Sequence, residues 1–414
     1  MARHGAFSDP RFRRLFAGQA LSSFGDSALY LTLGIWAKTL TGSNAAAGGV
    51  FLALAVPNLF APLCGHLADR MRRRPLLIAT NAVTALIVLT LVFVRSREEL
   101  WLIYVVAFCY GTSFGLLSAA GSGLRKDMLS GADLASANAA LQTASQGLRV
   151  LSPLVGSGLF VAFGGPSVAI FDAVTFAAAI AAIASLKVPE SEPERGQRGE
   201  FWRDLSAGFR HIRRVPLLAQ TVLISAIAFS VIGMSETVIF AVVGEGLHRP
   251  PSFMGVVLSV QGAGSIVSGL TATSLMRRAG AARTVGLALA CFALGAALYQ
   301  TSSLPLVLAG SVMDGLGVVW LSVALFTAMQ RHTPPRLQGR VNAAATTAII
   351  TPQTVSIAVG AALISVVSYR LMLLVIVVVI GACAGWLLAR PAAVPVQEAD
   401  ATEPQRSVAR SAAG

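Results

Sequence analysis

The sequence predicts an all-α membrane protein of twelve transmembrane helices, arranged as two six-helix pseudo-symmetric bundles. Three observations carry that expectation. Apolar residues make up 55% of the 414-residue chain and charged residues 12%, with a mean hydropathy of +0.70, too apolar a balance for one water-soluble core. The apolar residues are grouped in runs of about 20, the length that crosses a bilayer as a helix. Finally, Gly65 and Gly269, Arg73 and Arg277, Arg74 and Arg278, Asn138 and Asn342, and Gly156 and Gly360 are each separated by 204 residues, as expected of two parallel repeats.

Taken in order, the expected spans are Leu15 to Ala37, Ala45 to Leu67, Leu76 to Val94, Trp101 to Leu124, Asn138 to Phe163 and Val168 to Leu186 in the first half. The second half holds Leu217 to Val243, Met254 to Met276, Ala281 to Tyr299, Leu304 to Met329, Asn342 to Val367 and Leu371 to Ala389. Residues 1–186 thus form an N-terminal bundle and 217–389 a C-terminal one. Between them, 187–216 is the longest polar stretch, opening with VPESEPERGQRGE, which reads as flexible linker. Phe201, Trp202, Leu205, Phe209 and Ile212 then share one helical face, which suggests a short amphipathic helix in the membrane interface. The Ala-, Pro- and Glu-rich tail 390–414 is expected to be disordered and cytoplasmic.

A net charge of +13 would suggest nucleic acid as partner of a soluble protein, but here the basic residues sit in short loops between apolar runs. Anionic lipid is the simpler partner, and no nucleic acid is expected. With both termini on one side, 26 of the 32 Lys and Arg fall in that side's segments, whereas the opposite loops hold Arg95, Arg97, Arg249 and Arg370. The positive-inside rule therefore puts both termini in the cytoplasm, with the protein multi-pass in the cell inner (plasma) membrane. The first apolar run is long, carries Asp26 and lacks a small-residue cleavage pattern, so it reads as a retained signal anchor. Cys64, Cys109, Cys291 and Cys383 lie in or at the ends of apolar runs with no close pair, and the five histidines lie at or near loops. Neither set suggests a metal or a cofactor, and the protein is expected to work as a monomer.

Between the second and third spans the chain reads GHLADRMRRRP, from Gly65 to Pro75. Gly65, Asp69, Arg70, Arg73 and Arg74 match the loop signature G-x-x-x-D-R-x-G-R-[RK] of the major facilitator superfamily, and Arg72 stands where that pattern has glycine. The chain resembles that superfamily from Phe12 to about Ala389. FRRLFAGQALSSFGDSALYL, ADLASANAALQTASQGLRVLSPLVGSGL and FDAVTF are similar to the drug:proton antiporter branch that contains macrolide exporters and the enterobactin exporter. The resemblance implies the major facilitator fold, alternating access, and a cytoplasmic gate in which Asp69 meets the start of the eleventh span while the arginines tie the loop to neighbouring helices. Pro153 and Gly156 match part of the branch's fifth-span signature and are the expected helix-packing residues; Ser152 and Ser157 replace two of its glycines. Many drug antiporters carry an arginine in the fourth span, but Trp101 to Leu124 has no basic residue.

Asp26 lies near the middle of the first span, where a carboxylate costs roughly 2.5 to 3.5 kcal/mol on insertion scales. Gln19, Ser22 or Ser23, Asp26 and Tyr30 recur on one face, which points the carboxyl into a wet cavity where it can exchange a proton. A neutral, hydrogen-bonded structural carboxyl is the alternative reading. On the fifth span, Gln142, Ser145 or Gln146, Arg149, Ser152 and Gly156 form a second polar stripe whose arginine requires a carboxylate partner, with Asp26 the expected one. Glu236 in the seventh span, beside Ser225, Phe229, Gly233 and Phe240, and Asp314 in the tenth are further cavity carboxyls, or else structurally paired acids. Asp172, one turn from the outer end of the sixth span, is expected to snorkel to the surface. Asn342, Thr346 and Gln353 on the eleventh span fit either a polar lining or helix packing.

The chain has no G-x-x-x-x-G-K-[ST] phosphate loop, H-E-x-x-H pair or G-x-S-x-G elbow, so neither an ATP-driven pump nor a membrane enzyme is expected. Intramembrane carboxyls beside an arginine suit ion coupling instead. The expectation is a secondary active transporter exchanging protons for small amphipathic compounds, cationic ones included, such as drugs or antibiotics. A narrow-specificity metabolite or siderophore transporter and a non-transporting receptor or scaffold are the alternatives, and the short loops count against the last.

Overall fold

A computed structural model of the chain describes residues 6–60, 64, 65, 67, 68, 70–129, 131–186, 188 and 200–389; the side chains of 132, 135, 146, 149, 200–202 and 335 lie outside that description. The described residues of the first half form α1 (Pro10–Thr41), α2 (Asn44–Ala55), α3 (Arg73–Leu89), α4 (Leu100–Met128), α5 (Gly131–Phe163) and α6 (Gly165–Ala184). A helix α7 (Glu200–Arg214) precedes the second half, which comprises α8 (Pro216–Ile232), α9 (Ser235–Ala241), α10 (Met254–Leu298), α11 (Leu304–Arg331), α12 (Gln338–Leu363) and α13 (Tyr369–Leu388). The expected tail 390–414 and most of the linker lie outside the described residues.

Local chemistry sets several boundaries. Asp9 caps α1 by accepting a hydrogen bond from the Arg11 backbone N–H at 2.7 Å, and Pro10 occupies the first turn, where no N–H is needed. The Arg11 guanidinium, 2.7 Å from the same carboxylate, holds Asp9 below the usual carboxyl range. Gly42, at φ 69°, ends α1 in the left-handed conformation that favours glycine. Gly280 adopts φ 76° inside α10 and divides it into two arms.

Nine helices among the described residues are long and apolar enough to cross a membrane. The difference from the expected twelve lies in three places. Pro10–Thr41 is long, but Arg, Gln, Ser and Asp dilute its apolar residues. Asn44–Phe60 is short, and Pro251–Leu298 runs two expected spans together across Gly280. The large apolar residues Phe93, Phe163, Leu270 and Val366 are 72–81% exposed, as a lipid-facing surface requires. The interior uses small and hydroxylic residues, whose polar atoms bond the carbonyl one turn back: Thr32 to Ala28 at 2.8 Å, Thr84 to Thr80 at 2.7 Å.

Glycines set the closest helix crossings. A Cβ on Gly156 of α5 would lie 2.6 Å from the Ala28 carbonyl oxygen of α1, and one on Gly360 of α12 would lie 2.9 Å from Met234 Cα, between α8 and α9. These glycines are 204 residues apart and serve corresponding crossings in the two halves. Across the halves, Gly255 and Gly262 of α10 press against Ser157 and Val150 of α5, while Gly48 of α2 presses against Thr237 of α9. These cross-half approaches lie between the middle of the helices and the end opposite the termini, here the far end. One buried cluster joins Leu33, Phe51 and Tyr110 to Phe240, Met254 and Ile357 across the same boundary.

The seventh expected span is discontinuous. α8 stops at Ile232, α9 starts at Ser235, and a π-helical turn, Val242–Gly246, follows. The break is held from α12, where Ser356 Oγ accepts the Met234 N–H at 3.1 Å and Gly233 packs on the Gln353 carbonyl. α7 docks on the C-terminal half. Leu205 and Ile212 join Leu218, Met329, Val341 and Ala345, the Asp204 carboxylate pairs with Arg340 at 3.0 Å, and Gly208 lies against the Arg340 carbonyl. Arg203, Ser206, Arg210 and Arg213 form its exposed face.

Candidate functional site

Three helices converge on Asp26. The carboxyl sits in the middle of α1, and the buried Tyr110 hydroxyl of α4 donates a hydrogen bond to its Oδ1. The Tyr110 ring is fixed edge-on against Phe176 of α6, centroids 6.3 Å apart. One turn before Phe176 stands Asp172. Contrary to the expected snorkelling, Asp172 is fully buried, at 0% exposure. Its Oδ1 accepts from the Thr175 hydroxyl at 3.3 Å, and it lies within electrostatic reach of both Asp26 and Tyr110. The physical reason is Gly25: a Cβ there would collide with Asp172 and Thr175, so α1 covers the acid only because its neighbour to Asp26 has no side chain.

The second half repeats the chemistry with exchanged parts. Asp314 of α11 accepts a hydrogen bond from the Tyr299 hydroxyl at 2.8 Å, which also lies 3.3 Å from Ser311 Oγ, and Gly295 of α10 packs on the same carboxyl. Tyr110 and Asp314 are themselves 204 residues apart. The repeat thus places the phenol of one carboxyl–tyrosine pair where the other half places its acid.

The remaining candidates fall in different environments. Glu236 is half-buried in the first turn of α9, just after the break. Phe240 is buried, with its ring 5.9 Å from Phe51, which in turn meets the partly exposed Tyr30 at 5.3 Å; this aromatic cluster bridges the halves. Gln19 approaches Gly121 of α4, and Gln142 is exposed on α5. Gln146 and Arg149 lie on α5, but their side chains are outside the described residues, as is Asp69. Pro153 lies within α5, its carbonyl against Gly255. Among the described residues no three of His, Cys, Asp and Glu group as metal ligands.

At the end carrying the termini, Gly65 is half-buried and Arg70 exposed. Arg73 pairs with the Asp127 carboxylate at 2.6 Å and donates to the Gly123 carbonyl at 3.2 Å. Arg74 donates to the Ile183 carbonyl at 3.1 Å and to that of Ala184, where the last carbonyls of α6 favour a cation. The two arginines therefore fasten the start of α3 to α4 and α6. At the far end, the Lys38 ammonium donates to Asn44 Oδ1 at 2.6 Å, and Asn44 Nδ2 donates to Glu245 Oε1 at 2.8 Å, a tie between the halves.

The Major Facilitator Superfamily family model matches residues 15–243 and 221–413. The chain belongs to that superfamily and is a multi-pass membrane transporter. It is 24% identical over 263 residues to the uncharacterized MFS-type transporter YfiS of Bacillus subtilis (strain 168), a match covering 61% of this chain and 61% of that protein's length. Its fold is similar to that of the nucleoside transporter NupG, with a TM-score of 0.72 at 13% identity over 92% of this chain and 99% of that one. A bacterial homologue of the iron transporter ferroportin in an inward-facing state superimposes with a TM-score of 0.68 at 15% identity, covering 92% of this chain and 99% of the other.

Proposed function

We propose that this transporter is a proton-coupled exporter of small amphipathic compounds, cationic ones included, with its two six-helix halves rocking about a central site and both termini in the cytoplasm of a cell whose inner membrane it spans. The observation that carries the reading is Asp26: a half-buried ionisable group in the middle of α1, hydrogen-bonded to Tyr110 and within electrostatic reach of the buried Asp172. A proton arriving from outside neutralises Asp26, and substrate entering from the cytoplasm displaces it, so that each ligand has a different affinity for the two facing states. Glu236 and Asp314 are the other candidate carriers, Arg149 supplies fixed positive charge on α5, and Gln19, Tyr30, Gln142, Gln146 and Phe240 are the further candidate residues of the site.

The test uses ethidium, an amphipathic cation, in proteoliposomes with an imposed pH gradient. Asp26→Asn keeps shape and polarity but cannot ionise, so it should abolish gradient-driven ethidium movement while the purified variant retains the wild-type melting temperature within a few degrees, about 1 kcal/mol for a protein of this size. Full gradient-driven movement by that variant would transfer the role to Glu236 or Asp314. A wild-type protein that moves no ethidium but responds to one metabolite would replace broad export by narrow specificity.

A further inference from the structure

Asp172 takes no part in a cycle that loads the proton on Asp26 alone, yet its setting is unlike that of a structural acid. Its side chain is fully buried, and its Oδ2 has no hydrogen-bond partner among the described residues. A charge on that oxygen would be uncompensated inside the membrane, and a bound proton removes it. The groups facing it can be named element by element. α1 presents Asp26, α4 presents Tyr110, and α6 itself presents the Thr175 hydroxyl. α3, also packed on α6, has Thr80, Asn81 and Thr84 as its buried polar residues, none of them titratable; its Arg74 is engaged at the Ile183 and Ala184 carbonyls. α5 contributes one charged residue at membrane depth, Arg149, whose side chain lies outside the described residues.

We propose that Asp172 and Asp26 form a two-carboxyl proton site between α1 and α6, with Asp172 holding the proton that remains when Asp26 gives up its own. The inference rests on the proton-coupled reading. Asp26 is half-buried and Asp172 fully buried, with Gly25, the residue beside Asp26, packed on Asp172; two carboxyls so placed avoid simultaneous ionisation, and their protons leave in two steps that belong to the pair. The Tyr110 hydroxyl, donating to Asp26, marks Asp26 as the member that becomes the anion. In the loaded state both acids carry a proton. In the unloaded state one O–H bond, on Asp26, has broken, its proton has left to water or been displaced by substrate, and Asp172 remains neutral. No electrons change hands. Gly25 enforces the pairing, because any side chain there would separate α1 from Asp172.

The test is infrared difference spectroscopy of the full-length protein in lipid, following the protonated-carboxyl band as pH is raised, which needs no substrate. With Asp26 replaced by Asn, the pair has a single remaining acid and Asp172 should itself titrate. The band that Asp26→Asn loses on alkalinisation should therefore exceed that of the Asp26→Asn, Asp172→Asn double variant by one carboxyl. Asp314 and Glu236 contribute equally to both spectra and cancel. Identical difference bands would mean that Asp172 stays protonated even without a neighbouring acid to compete with, as a structural carboxyl and not one member of a titrating pair, and would overturn the proposal. Should the double variant not fold, Tyr110→Phe provides the second reading. Loss of the hydroxyl facing both acids should displace both steps of the wild-type titration by about tenfold in proton concentration, and an unchanged titration would equally overturn it. Gradient-driven ethidium movement, measured on the same wild-type preparation, reads the export proposal separately: a titrating pair without ethidium movement would leave the two-carboxyl site in place and remove the exporter.

Discussion

Asp127 shows how a single residue holds the end of the molecule that carries the termini. Its side chain is 4% exposed, and the Arg73 guanidinium stands 2.6 Å away, with Gly123 leaving room for that guanidinium. Breaking a buried pair by removing one member costs about 3–5 kcal/mol, because the other charge is stranded. Arg73→Ala should therefore lower the melting temperature more than Arg73→Ala combined with Asp127→Asn does; additive losses in that double-mutant cycle would show the pair is uncoupled. The arginines were legible in the sequence through their loop signature, but their partner was not, since an acid after Arg125 and Lys126 reads as a solvated helix end. Asp26 was legible because mid-span charge is costly wherever the helix packs. Asp172 does not snorkel for two reasons: α6 begins at Gly165 and not at the first apolar residue of the run, Val168, and the covering role of Gly25 depends on a crossing between α1 and α6 that no local pattern records.

At the scale of elements, hydropathy located the helices but not their interruptions. α8, α9 and the π-helical turn together are as apolar as one continuous span, so hydropathy does not show the break beside Glu236, which α12 holds through Ser356 and Gln353. Discontinuous helices commonly line transporter binding sites, because unwound backbone needs partners that a continuous span does not. The α7 amphipathic pattern was readable, but not the surface it meets: Leu205 and Ile212 pack on protein, and the Arg340 ion pair that orients them spans more than a hundred residues of sequence. The far-end tie between α2 and the end of the seventh span is likewise a long-range contact. Among the described residues the cross-half glycine approaches lie toward that end, and the Asn44–Glu245 bond joins the halves there, as a closed far end requires. A bias of ~1.4 kcal/mol changes a two-state ratio about tenfold. Asn44→Ala combined with Glu245→Ala should then raise the population open at the far end by up to about that factor, read as longer spin-label distances between the starts of α2 and α10. An unchanged distance distribution would show that the bond does not contribute to closure.

For the whole molecule, the repeat at 204 residues was the most informative signal, because it reports architecture rather than any one helix. It links Gly156 to Gly360 as crossing points, and Tyr110, which bonds Asp26, to Asp314, which accepts from Tyr299, as equivalent positions in two separate carboxyl–tyrosine pairs. Orientation rests on the bias of 26 of 32 basic residues toward one side. With the four native cysteines replaced, Arg72→Cys should be shielded from impermeant thiol reagents in intact cells, and Arg97→Cys should react; equal labelling would refute the orientation. Both positions are exposed, so the difference in labelling reports sidedness and not burial. In the proposed cycle, proton movement drives export through the two halves. Its most direct measurement is ethidium accumulation in inside-out membrane vesicles containing the wild-type protein, with the interior acidified and then with the gradient collapsed by a protonophore. Proton-driven export requires accumulation that depends on the acid interior and vanishes on collapse; accumulation of the same extent with and without the gradient would rule it out.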